Sequence, residues 1–254
     1  MIVPLLLVAV MAGASLQAAT GFGFGLLAAP VLFAVIEPQP AIGLLAVLGP
    51  EINLLTLLTE GRRPAPLLRE VAVVVGFAGP GALLGVAVLR SLDAVALQIM
   101  VSVGVIVTLV IRHALTTEGS ARVAPADGPR PRPAWSAPLA GFLAGALSTS
   151  TSTPGPPLLL HLLGRGARPW VVRDTLTTCF LALGLVTPLA LLATRTTEAI
   201  PDLALTLTLI PAAVVGHLLG RRVFARLARG HHYELVVTIV LLVSVGSGLV
   251  AVLT

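Results

Sequence analysis

Charge is scarce in this 254-residue chain: only 11% of its residues are charged, and none is Lys. A soluble domain carries about 25% charged residues to cover its surface, so an ordinary soluble fold is excluded and lipid must do the covering. Cysteine is nearly absent. Cys179 stands alone, which excludes an internal disulfide and a cysteine-based metal site. Set in an apolar stretch, it reads as a small packed hydrophobe. Early positive charge is missing too. Residues 1–19 form an apolar run ending in small residues, but the first basic residue is Arg62. A signal peptide has a positive n-region, so this run reads as a retained membrane segment. Nor is there a nucleotide-binding loop, a metal-ligand cluster or a nucleophile–base set. An enzymatic or NTP-driven reading has no support, and no metal or cofactor is expected.

What is present is apolar. Hydrophobic residues make up 56% of the chain, and the mean hydropathy is +1.01. A spanning helix needs about 20 mostly apolar residues, and such blocks recur at about 1–36, 40–59, 70–90 and 94–113, then at about 136–164, 169–194, 201–220 and 233–254. Between the two sets lies a polar stretch rich in Pro and Arg, residues 114–135. The expected fold class is an all-α, polytopic integral membrane protein. Its expected parts are a first membrane repeat (1–113), a cytoplasmic linker (114–135) and a second membrane repeat (136–254). The net charge of +5 comes from 16 Arg against 11 acidic residues. Those Arg cluster between apolar blocks, as loop charge does in a membrane protein, so a nucleic-acid partner is not expected.

The halves resemble one another. Ala12-Gly13-Ala14 recurs as Ala144-Gly145-Ala146, and Leu26-Leu27 as Leu158-Leu159, both at a shift of 132. Pro80-x-Ala82-x-x-Gly85 recurs as Pro211-x-Ala213-x-x-Gly216 at a shift of 131. Identity is cheap in a chain so rich in Ala, Gly and Leu; the near-constant shift is what points to duplication, common in secondary transporters.

The first block of each half is too long for one crossing, and each is interrupted by helix-unfriendly sequence. The breaks are expected at Thr20-Gly21-Phe22-Gly23-Phe24-Gly25 and at Ser148 through Pro157. Glycines favour non-helical backbone, and prolines stop an incoming helix while suiting the first turn of the next. Each block therefore reads as a re-entrant hairpin or broken pair, followed by three crossings. Arg62, Arg63 and Arg69, then Arg112, Arg122, Arg130 and Arg132, then Arg221, Arg222, Arg226 and Arg229 mark three cytoplasmic connections. With three full crossings per half, the repeats come out inverted and both termini external.

Irregular backbone survives at membrane depth only where it is buried or lines a cavity. Paired bends place the N-termini of two helices near mid-membrane, where free N–H groups and a partial positive charge favour an anion. The expected site comprises Gln17, Thr20, Gly21, Gly23 and Gly25 from the first bend, and Ser148, Thr149, Ser150, Thr151, Ser152, Thr153 and Gly155 from the second. The competing reading is that these small residues only let helices pack closely. Glu51 and His161 are candidates for coupling, since an intramembrane ionisable group is functional by default. An ionised Glu51 would cost about 2.5–3.5 kcal/mol and repel an anion. Outward movement of one negative charge through about 100 mV, inside negative, releases about 2.3 kcal/mol without it. Glu51 is accordingly expected to be an uncharged structural acid. The alternative is proton coupling through it. Arg173 and Asp174 are expected to pair at an interface, and His217 to sit beside Arg221 at a helix end.

Gln17 through Gly25 with Ala29-Pro30, Gly155-Pro156-Pro157-Leu158 and the stretch from Pro211 to Arg221 resemble the signatures of the sulfite exporter TauE/SafE family of bacterial membrane transporters. The resemblance runs over most of the chain. It departs at Ser148–Thr153, where many members carry a glycine-rich run. It implies export of a small sulfur-containing oxyanion, such as sulfite or an organosulfonate, across a bacterial plasma membrane. The partners it implies are that anion and the lipid bilayer, with a homo-oligomer left open beside a monomer. The alternative function is a non-transporting membrane scaffold or assembly component with glycine-packed bends.

Overall fold

The computed structural model describes residues 2–59, 61–104, 106, 107, 110, 133–163, 165 and 169–227. The central linker up to residue 132 and the last apolar block, 233–254, lie outside the described residues. All regular structure described is helical: α1 (Ile2–Thr20), α2 (Phe24–Phe33), α3 (Pro38–Thr59), α4 (Leu68–Ser91), α5 (Ala94–Gly104), α6 (Ser136–Thr151), α7 (Gly155–Leu163), α8 (Pro169–Ala193), a 3₁₀ turn (Thr197–Ala199) and α9 (Leu203–Leu227). Five of these are long and apolar enough to cross a membrane: α1, α3, α4, α8 and α9. Their outward leucines, among them Leu58, Leu185, Leu189 and Leu192, are 64–72% exposed. Water would penalise such a surface and lipid does not.

The two broken blocks are present, with narrower breaks than the sequence suggests. The first is only Gly21–Gly23, where Gly21 and Gly23 have φ of 83° and 110°. The second is only residues 152–154. Ser148 through Thr151 remain in α6, where the Ser150 and Thr151 hydroxyls donate to the carbonyls of Ala146 and Leu147, 2.8 and 3.1 Å away. A hydroxyl bonded four residues back is satisfied without leaving its helix, at a slight cost to that helix. Ser152 then stops the helix with φ of 56°, a left-handed conformation that a non-glycine residue adopts at a cost. The outgoing helices are short, 10 residues in α2 and 9 in α7. At 1.5 Å per residue each reaches about half of a 30 Å hydrocarbon core. Nearly all of α2 is buried.

Small residues set the helix crossings. Gly81 and Gly85 on α4 lie against the Phe142 and Ala146 carbonyls of α6, while Gly141 and Gly145 on α6 lie against Val74 and Ala78. Gly216 and Gly220 on α9 lie likewise against Met11 and Ser15 of α1, and Ser15 Oγ donates to the Gly216 carbonyl at 2.7 Å. Glycine at four-residue spacing lets backbones approach this closely. Rising numbers pair with rising numbers in both cases, so α4 runs parallel to α6, and α1 to α9. The repeated Pro-x-Ala-x-x-Gly motif thus does the same job twice, seating Gly85 on α6 and Gly216 on α1.

Helices α3 and α8 cross antiparallel. Gly43 sits under the Ala199 carbonyl, Pro50 meets Gly184, and Arg62 pairs with Asp174. Helix α4 runs with α8, as the bond from Leu67 N to Thr175 Oγ1 (3.0 Å) and the Arg90 contact to the Thr194 carbonyl show. Helix α9 runs with α3, since Gly43 near the start of α3 lies against Pro201 before α9 and His217 Nε2 lies 3.1 Å from Thr59 Oγ1 at the end of α3.

Candidate functional site

The two bends touch. A Cβ on Gly25 would collide with the carbonyl oxygen of Ser152, so the start of α2 rests directly on the second break. Around this contact lies a cavity of about 60 Å³, lined by both bends and by the middles of α3 and α8. A single water takes roughly 10–15 Å³ of such space, so there is room for a few waters or one small oxyanion.

Of the residues expected to form the site, Gln17, Gly23, Gly25, Ser148, Ser152, Thr153 and Gly155 line the cavity. Gln17 is tied into the break. Its Oε1 accepts from the Phe24 amide at 3.0 Å and its Nε2 donates to Asn53 Oδ1 at 2.6 Å. Asn53 in turn donates to the Gly49 carbonyl at 2.9 Å. One of the amides expected to face a ligand is therefore already capped. At the second bend, Pro154, Pro156 and Pro157 carry no N–H, which leaves Gly155 and Leu158 as donors around the start of α7. The side chains offered instead are hydroxyls. Ser148 Oγ lies 2.8 Å from Thr187 Oγ1, and both line the cavity.

The other expected residues are placed elsewhere. Helical geometry brings Ser148 and Ser152 to one face and turns the three between them away. Thr149 donates to the Ala82 carbonyl of α4 at 2.8 Å, and Ser150 and Thr151 bond back along α6. Thr20 Oγ1 donates to the Leu16 carbonyl at 2.9 Å, and Gly21 packs under Arg173. Glu51 is not a lining residue; its Oε2 is buried and has no hydrogen-bond partner among the described residues. His161 is 4% exposed and its Nε2 lies 2.7 Å from Glu70 Oε2, while Arg165 pairs with the other Glu70 oxygen.

Two further expectations are corrected. Asp174 pairs with Arg62, not with its neighbour: both guanidinium nitrogens lie 2.7 Å away and the Ala65 amide adds a bond of 2.8 Å. Arg173 donates to the Ala18 carbonyl at 2.8 Å. His217 lies beside Arg221 as expected, but within α9 and not at its end, fully buried against Thr59.

Sequence reasoning missed Asn53 and Thr187 as lining residues, along with Gly49, Pro50 and Gly184. A signal existed. Residues 45, 46, 49, 50 and 53 share one helical face, as do 180, 183, 184 and 187. Each of these faces carries a single polar side chain, Asn53 on one and Thr187 on the other.

A family model described as Sulfite exporter TauE/SafE matches residues 5–247. The chain belongs to this family. No curated protein matches it, and no solved structure does. The TauE/SafE match spans both bends and takes in all nine described helices but for the first three residues of α1. It makes this a multi-pass membrane protein of a transporter family, for which a small anionic substrate is implied.

Proposed function

We propose that this TauE/SafE protein is a secondary exporter of a small sulfur-containing oxyanion, sulfite or an organosulfonate, across a bacterial plasma membrane. The observation that carries the reading is the shared cavity: two helix breaks from different halves of the chain border one space into which both contribute polar groups. In this reading the anion sits between the starts of α2 and α7, whose dipoles favour negative charge. Gln17, Asn53, Ser148, Ser152, Thr153 and Thr187 face it. Dry, glycine-packed bends would suit a scaffold; a cavity roomy enough for water and carrying several polar side chains favours transport. The membrane potential drives efflux, and Glu51 serves the packing of α3 and not proton transfer.

The same reading takes the chain as inverted repeats, 1–113 and 136–254. Helices α1, α3 and α9 run one way and α4, α6 and α8 the other. Under the shift of 131–132, α1 corresponds to α6, α3 to α8 and α4 to α9, each opposed to its counterpart. Those directions support the inversion, which suits alternating exposure of a central site.

Gly49 provides the test. It lines the cavity, and a Cβ built on it meets nothing within 4 Å. Gly49→Leu adds a side chain to that space and removes a helix-weakening glycine. The expected result in proteoliposomes is a folded protein with sulfite and sulfonate flux reduced to the protein-free baseline. A folded Gly49→Leu variant with wild-type flux would show that the anion passes elsewhere.

A further inference from the structure

We infer that the substrate crosses as a singly charged anion and that a dianion of the same shape is rejected. The inference rests on the transport reading above and adds the charge state that the cavity accepts.

Among the described residues, none that lines the cavity is charged. The cost of moving an ion out of water grows with the square of its charge, so a dianion loses about four times the hydration energy of a monoanion. A site recovers such a loss through cations or through many committed donors. Here the donors are neutral and partly spent. The Gln17 carboxamide donates to Asn53, and Asn53 to the Gly49 carbonyl. Thr151 donates to the Leu147 carbonyl, so the proton shared with Thr153 comes from Thr153. Ser148 and Thr187 hold one proton between them and leave one to offer. Much of the remaining wall is apolar, with Phe24, Leu45 and Phe180 on it. Such a wall favours one diffuse charge over two. The Gly49 carbonyl and the hydroxyl oxygens are also acceptors, which suit an anion that retains one acidic proton.

Sulfate and perchlorate test the charge alone, because both are tetrahedral with four oxygens. Efflux of each from proteoliposomes is measured beside sulfite and methanesulfonate, with protein-free vesicles and Gly49→Leu vesicles as baselines. Perchlorate flux is expected to exceed sulfate flux by about tenfold or more. Sulfite flux should fall as rising pH converts hydrogensulfite to the dianion. Sulfate flux equal to perchlorate flux overturns the inference while leaving transport intact. If none of the four anions moves above baseline, the transport reading itself fails.

Discussion

Gly25 has no room for a side chain. The atom that would meet a Cβ is the Ser152 carbonyl oxygen, part of the backbone of the opposite bend, which cannot swing aside as a side chain does. Gly155 differs, although both were expected to serve the site in the same way. A Cβ there meets only Phe22 and Phe180 ring carbons at 3.5 and 4.0 Å, ordinary contact. Gly25→Ala should therefore destabilise the protein by about 1–3 kcal/mol or more through overpacking, with loss of flux. Gly155→Ala should stay near the wild-type melting temperature. Thermal unfolding of the two purified variants checks this; equal melting temperatures would mean the bends do not touch as described.

Between elements, the strongest polar tie joins the α3–α4 connection to the start of α8. Asp174 is 2% exposed in its side chain and is satisfied from outside its own helix by Arg62 and the Ala65 amide. Thr175 next to it accepts the Leu67 amide. Glu70 with His161 and Arg165 makes a second tie, between α4 and the end of α7. Because Asp174 is buried, removing its partner strands a carboxylate. Arg62→Ala should cost about 1–3 kcal/mol, and Arg62→Lys should restore only part of it, since Lys lacks the two-pronged geometry. Melting temperatures of both variants measure this. A neutral Arg62→Ala would mean that the pair, 38% exposed on the Arg side, is screened by water.

At the scale of the whole molecule, the helix directions assign the connections to two faces. Arg63 and Arg222 are exposed near one face; Glu198 is exposed near the other. In a Cys179→Ala background, cysteines at positions 63 and 222 should react with an impermeant maleimide from one side of intact cells or oriented vesicles. A cysteine at 198 should react only from the opposite side. Labelling of 63 and 222 from opposite sides would end the inverted arrangement. On the proposed topology the arginine pattern predicts that positions 63 and 222 are the ones labelled from the cytoplasmic side.

Membrane residence, all-helical class and the two helix breaks were legible in the sequence by itself. Each rests on local chemistry: too little charge for water, runs of spanning length, and Gly or Pro where a helix cannot continue. Gln17 and Gly25 were also readable, because they flank such a break. What only the tertiary structure decided is which side chains share a space. Ser148 and Ser152 face the cavity while Thr149, Ser150 and Thr151 do not, since a single α6 face meets α8 and the others meet α4 or their own carbonyls. Asn53 and Thr187 joined the site because α3 and α8 cross antiparallel at Pro50 and Gly184. Asp174 found Arg62 across more than one hundred positions of sequence. Contacts of that kind depend on how helices dock, and in a chain made largely of Ala, Leu, Gly and Val the local pattern carries too little to say which face docks where.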